Sequence, residues 1–449
     1  MNDRSTSNAH CSETALQQWR EKYGVEEDSF FGELQFGLSS AFFEFPTIVW
    51  SPTEIPENGQ SLLIASSRLG RRPDQKPNWF DALRTSVSKL DSDHQFLITG
   101  ESTTANLYLH RLADLFQIPI VEFRPFPKRI SKTWFEQQFE AAESWPHWRR
   151  IVYFSPLDDS GIDDVLMRIA KSVRLLSVSG KGNIHRSVMS RLQIAERANQ
   201  TWLLCDEHLT APKVQQELID AGASRWLLYR DEQLYEGTSS QTTGEYKSVS
   251  IKSLNLEDYL LHWTRQQTGP WPNQSEHQFV DDLIFGSTSA AHDRLSTICR
   301  ILATGRLIAS NRLTRDSTPV VCFSGVAVDR LPELRVFRSH LGRWDFETIG
   351  IAIRRSVLVS LGAKKVIYGD QATWENMPAD QRPFFQLEKS ENKSGQIDWS
   401  REQEWRLAGD LELNRLNTDD AFLFVSNAEE ATTVASYSRW PILNLTETK

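Results

Sequence analysis

Between residues 55 and 230, short apolar runs alternate with segments of helical periodicity, and this alternation restricts the fold more than any other feature of the chain. "SLLIAS" (Ser61 to Ser66) leads into "NWFDALRTSVSKL", where Phe80, Leu83, Val87 and Leu90 recur at helical spacing. "QFLITG" leads into "ESTTANLYLHRLADLF", whose Leu107, Leu109, Leu112, Leu115 and Phe116 predict a helix with one broad buried face. "IPIVEF" follows, then "RIVYFS" before "GIDDVLMRIAKSV", "RLLSVS" before "NIHRSVMSRL", "TWLLCD" before "APKVQQELIDAG", and finally "RWLLYR". A chain that repeats strand and helix in this way builds right-handed crossovers around a mostly parallel sheet, with helices on both faces. Gly222, just after the last helix, stands where a C′ glycine belongs.

Open sheets of this kind bind ligands at the carboxyl ends of their strands. The turns there read "SSRLGRR", "TGESTT", "SPLDDSG" and "SGKGN". Gly180, Lys181, Gly182 and Asn183 open a helix with backbone N–H groups, a favourable dipole and one cation, the parts an anion site needs. Gly100 gives a close turn, Thr103 and Thr104 offer hydroxyl donors, and Arg71 and Arg72 can pair with a phosphate. Gly, Ser and Thr at these junctions are equally what helix N-caps require in any α/β protein. "GKGNIH" lacks the third glycine of a dinucleotide fingerprint, and "TGESTTA" is not a P-loop. Through Gly100 to Thr104 and Gly180 to Asn183, this region resembles the SLOG-type Rossmann domains of bacterial nucleotide sensors. The resemblance implies a Rossmann-like fold and a small-molecule nucleotide as ligand.

Residues 231–254 include "EGTSSQTTGEYKS", the composition of an exposed connector, so the reading places a linker there and an N-terminal extension packed on the first domain at 1–54. From 255 to 449 the rhythm changes to several short strands with few helices between them, which predicts an α+β domain. "AAHDRLSTICRILATG" is one clear helix, stopped by Gly305. A formal charge of −9 argues against broad non-specific nucleic-acid binding. No apolar run approaches the roughly 20 residues that span a bilayer, so no membrane association is expected. Cys11, Cys205, Cys299 and Cys322 show no paired spacing, which suits reduced thiols in a cytoplasmic setting and gives no metal site.

In the second half, "LHWTR" with "LSTICRILATGRLIAS" resembles the opening of DarT-like and related ADP-ribosyltransferase domains. "VVCFSG", "WDFETIGIAI", "GAKKVIYGD" and "EQEWR" are similar to bacterial proteins with Cys-Phe-Ser/Thr and Glu-Trp-Arg strands that are associated with phage defence. The resemblance implies NAD as cofactor, bound by His262 through its ribose with Thr264 supporting the same strand. It makes Glu404 the catalytic carboxylate, with Glu402 and Arg406 on the same strand face and Tyr368 or Trp344 as a stacking surface. A carboxylate is what cleavage of the nicotinamide–ribose bond needs, because positive charge develops on the sugar carbon. The residues also allow another reading, in which His262 is a core histidine bonded to a carbonyl and the Glu402, Glu404 and Arg406 group is an ion pair on a strand. Two functions are therefore expected of such a chain. One is a nucleotide-sensing domain coupled to an NAD-using transferase, with nucleic acid or protein as its modification target. The other is a non-enzymatic protein that binds a ligand or a partner.

Overall fold

The computed structural model describes residues 21–23, 47–53, 59–156, 160–228, 246–312, 314–338, 343–387 and 403–448. The chain divides into two compact units, Met1–Glu232 with Ser275–Ala290, and Gln233–Gln274 with Ala291–Lys449.

The first unit is Rossmann-like. Its strands are β1 (Thr47–Trp50), β2 (Gln60–Ser66), β3 (Gln95–Gly100), β4 (Ile120–Pro125), β5 (Arg149–Pro156), β6 (Ser172–Ser177), β7 (Thr201–Leu204) and β8 (Ser224–Trp226). They form one eight-stranded sheet in the order β1-β5-β4-β3-β2-β6-β7-β8. Seven strands run parallel, and β1 closes one edge antiparallel to β5. Helices α1 (Pro77–Ser88), α2 (Asn106–Phe116), α3 (Lys132–Glu143), α4 (Ile162–Ile169), α5 (Asn183–Leu192) and α6 (Pro212–Asp220) connect the strands. Alternate residues of each strand feed two cores, as the period of a strand requires. Leu63, Ala65, Ile98 and Val121 pack on Val165, Leu166, Ile184 and Val188 of α4 and α5. Leu62, Ile64, Leu97 and Ile120 pack on α1 and α2. Trp79, fully buried, settles its indole N–H on Ser66 Oγ at 2.8 Å, the partner a core tryptophan requires.

Two expectations change here. In α2 the buried residues are Tyr108, Leu109, Leu112 and Ala113, whereas Leu107, Leu115 and Phe116 are exposed. The apolar surface of α2 exceeds the stripe that the sheet can cover. The helix Glu276–Phe285, α7, belongs to the first unit rather than to the α+β domain in whose sequence it lies. Its Val280, Leu283 and Ile284 complete the core beneath α1 and α2. Asp281 accepts two hydrogen bonds from Arg111, at 2.6 and 2.7 Å, and the Ile284 carbonyl accepts one from Arg84 at 2.6 Å.

The second unit is built on a seven-stranded sheet, with strands β9 (Tyr259–Trp263), β10 (Val320–Ser324), β11 (Gly350–Arg354), β12 (Lys364–Lys365), β13 (Glu404–Ala408), β14 (Ala421–Val425) and β15 (Ile442–Asn444). The order is β12-β13-β10-β9-β11-β14-β15, antiparallel except for the last pair. Helices α8 (Arg294–Thr304), α9 (Arg355–Ser360) and α10 (Ala428–Ala435) cover one face through Ile298, Leu302, Leu358 and Val434. Of the expected connector, residues 231–245 lie outside the described residues. The remainder is not an exposed linker: Val249, Ile251 and Leu254 pack on the second core, and Val249 N–H donates to Ile442 O at 3.1 Å. Of the extension at 1–54, most lies outside the described residues, and β1 adds to the sheet edge.

Candidate ligand site at the reversal of the parallel sheet

The connections of the first sheet reverse at β2, which has β3 on one side and β6 on the other. From β2 the chain winds outward through β3, β4 and β5, then returns past β2 to β6 and winds outward the other way. The loops leaving β2 and β6 therefore lead to opposite faces of the sheet, and in such sheets the crevice between loops of this kind is the place that holds ligands. Ser67 N–H donates to Ser177 O at 2.8 Å, and Ser179 N–H donates to Ser67 Oγ at 2.9 Å, so the two loops are braced against each other.

The α5 side of the crevice is formed by a helix N-terminus. Gly182 is the N-cap and supplies no side-chain oxygen, and the first turn of α5 has no acidic residue. Its first amides thus lack the usual capping acceptor, and Lys181 beside them is exposed. A Cβ on Gly182 would meet nothing closer than 3.7 Å, so no packing demand explains the glycine. The other expected residues divide. Asn183 Oδ1 accepts from Arg186 at 2.6 Å, and Arg71 is exposed on the loop after β2. Arg72 is taken up by a bidentate pair with Asp74. Thr103 Oγ1 donates to Gly100 O at 2.9 Å, the turn-stabilising role, and Thr104 is half-buried beside it. Two of the glycines serve packing: a Cβ on Gly100 would lie 2.3 Å from Ile162 Cδ1, and one on Gly180 would lie 2.9 Å from Val214 Cγ2. The strand-and-turn pattern does not single out Asp163 and Asp164, which start α4 above the same crevice. Their only trace in the sequence is the pair of acids after "SG" at a strand-to-helix junction.

In the second unit, the residues expected to form an NAD site do not converge. Glu404, Ser324 and Leu261 lie in line across β13, β10 and β9. Side chains directly opposite in a sheet share a face and successive ones alternate, so His262 points to the other side from Glu404. The packing agrees: the His262 ring contacts Phe323 at 5.8 Å, while Leu261 joins Ala352 and Phe422 on the opposite face. His262 Nδ1 lies 2.9 Å from Cys322 O, and Thr264 Oγ1 donates to Arg294 O at 3.1 Å. Burial pushes the His262 imidazole below its ordinary range, outweighing the pull of the Cys322 carbonyl. Glu404 is held by Arg406, whose Nε donates to Oε1 at 2.8 Å and whose NH2 donates to Oε2 at 3.3 Å. The remaining Arg406 donors go to Pro383 O, Phe385 O and Gln386 Oε1. Tyr368 lies in the strand paired with Phe385–Leu387, next to this ion pair. Trp344 sits in a separate ribbon, 40% exposed, with Arg335 4.2 Å above its ring. Glu402 lies outside the described residues. A transferase site made of His262 and Glu404 needs both in one cleft, and the sheet stands between them. These residues do not fit NAD.

The first unit is thus defined by its own topology as a Rossmann-like α/β unit with a crevice at its sheet reversal. Among known proteins, no family model matches the chain and no curated protein matches it. One solved structure, the molybdenum cofactor carrier protein from Chlamydomonas reinhardtii, is similar over 38% of this chain and 91% of its own, at 12% identity and a TM-score of 0.24. That likeness is too loose to add to the topology. Among the described residues no helix is long and apolar enough to cross a membrane, and no cluster of His, Cys, Asp and Glu is arranged to hold a metal ion.

Proposed function

We propose that this chain is a small-molecule-binding protein whose first unit takes a nucleotide, or a related phosphate-bearing ligand, in the crevice between β2 and β6. The observation that carries the reading is the reversal of the sheet at β2, with both flanking loops braced at Ser67. It is supported by the α5 N-terminus, which offers a phosphate uncapped amides, a positive dipole end and the Lys181 ammonium. The reading is one of binding rather than catalysis, because the pair that would have carried NAD chemistry in the second unit is split by the sheet. Isothermal titration of the full chain with a panel of nucleotides tests it. Binding is expected, and Lys181→Ala is expected to weaken it about tenfold, as loss of one charge-assisted contact to phosphate does. Absence of binding across the panel would leave the glycines and threonines of these turns with capping roles alone.

A further inference from the structure

We propose that Asp163 is the ligand-selecting side chain of this crevice, accepting a hydrogen bond from a ligand hydroxyl so that the site takes ribose-bearing phosphates in preference to phosphate alone. The proposal rests on the binding reading above and adds the ligand class. Asp163 lines a small niche with Ser66 at the end of β2, Thr103 after β3 and Ile184 in the first turn of α5. The niche has about 10 Å3 open to the centre of a water molecule, which is room for roughly one water-sized group and none for a phosphate. Its remaining wall is apolar, including Leu63 and Leu166.

Asp164, the neighbouring acid, is already occupied. Its Oδ2 accepts the Gly161 N–H at 3.2 Å, capping α4, and its Oδ1 accepts from Ser187 Oγ at 2.5 Å. Among the described residues no donor is bonded to the Asp163 carboxylate. Burial, and then the charge of Asp164, push the Asp163 carboxyl above its ordinary range. Asp163 is partly buried, so water reaches its carboxylate in the free protein, and a ligand hydroxyl can take that water's place. A hydroxyl fits better than an ammonium, which is strongly hydrated and expensive to bring against apolar walls, and it can also donate or accept at the polar rim beside Thr103. The position suits a sugar phosphate. Ile184 lies two residues after Gly182, and at 1.5 Å rise per residue the uncapped amides are only a few ångströms from the niche. A ribose hydroxyl in the niche and its phosphate on α5 span such a distance.

The test is titration of the full chain, as wild type, Asp163→Asn and Lys181→Ala, with ribonucleoside monophosphates, the matching dideoxy forms and inorganic phosphate, together with the melting temperature of each free variant. The wild type should prefer the ribonucleotides over the dideoxy forms by about tenfold or more. Asp163→Asn keeps an acceptor oxygen but loses the charge that strengthens the bond, so it should reduce that preference severalfold while leaving inorganic phosphate binding unchanged or stronger. Its free form should melt no lower than wild type at neutral pH, because the replaced group is charged against a raised pKa and so weakens the fold as pH rises. Lys181→Ala should weaken all the phosphates together. If Asp163→Asn keeps the preference while Lys181→Ala weakens binding, the selection proposal falls and the binding reading stands. A variant that melts lower and loses every ligand equally would make Asp163 structural. If the wild type binds none of these compounds, both fall.

Discussion

Two buried carboxylates show how environment assigns a role to a residue type. Glu122 is 3% exposed, with Arg124 NH2 at 2.8 Å and His110 Nε2 at 3.2 Å from Oε2, and Asn106 Nδ2 at 3.3 Å from Oε1. Burial alone would raise its pKa, but the His110 and Arg124 contacts outweigh burial and hold the carboxyl at about 2. A depressed folded-state pKa contributes stability that is present above the ordinary value of 4.5 and is lost as pH falls toward about 2. Urea unfolding across that window should therefore show stability draining away with acid, on the order of 3 kcal/mol from this residue. Glu122→Gln should flatten that part of the profile. Glu404 is a different case, since its partner Arg406 is 1% exposed. Arg406 is held above its ordinary pKa despite burial, because the Glu404 charge and hydrogen bond outweigh the desolvation. Glu404→Gln should leave that guanidinium under-compensated and cost roughly 3–5 kcal/mol in unfolding experiments. A catalytic carboxylate with no structural duty would instead tolerate the change with its fold intact.

At the scale of elements, the close seating of α4 over β3 depends on one missing side chain. Gly100→Ala would place its Cβ 2.3 Å from Ile162 Cδ1, so the Ile162 side chain at the start of α4 must move aside. Overpacking of this sort costs about 1–3 kcal/mol, to be read by urea unfolding, and it should also weaken ligand binding because α4 carries Asp163. Much of this layer was legible in the sequence. The runs at Ser61 to Ser66, Gln95 to Gly100 and Arg150 to Ser155 are strands, and Gly222 and Gly305 end helices with positive φ, as a residue without Cβ allows. Strand partners and register were not legible. Nothing local to "HWTR" or "EQEWR" states that β10 lies between them in a register that aligns Glu404 with Leu261, and a shift of one residue exchanges the faces. For the same reason the turns could be placed at the strand ends, whereas the niche at Asp163 needed the packing of α4 beside α5.

At the scale of the molecule, the two units are not consecutive in the chain. The first recruits α7 from beyond the start of the second, and Val280, Leu283 and Ile284 close the core that contains Trp79 and Leu109. A fragment ending at Glu232 should therefore expose that apolar face, bind a hydrophobic dye and melt well below the intact chain in a circular-dichroism scan. The loss of three large side chains from a core predicts a deficit of several kcal/mol. The proposed ligand enters between β2 and β6. Hydrogen–deuterium exchange of the full chain, with and without the tightest-binding nucleotide from the panel, locates that entry. Protection concentrated in the loops after β2 and β6, at Ser66 to Arg72 and Ser177 to Ile184, is the predicted result. Protection confined to the second unit, or none in either loop at a saturating concentration, would contradict it.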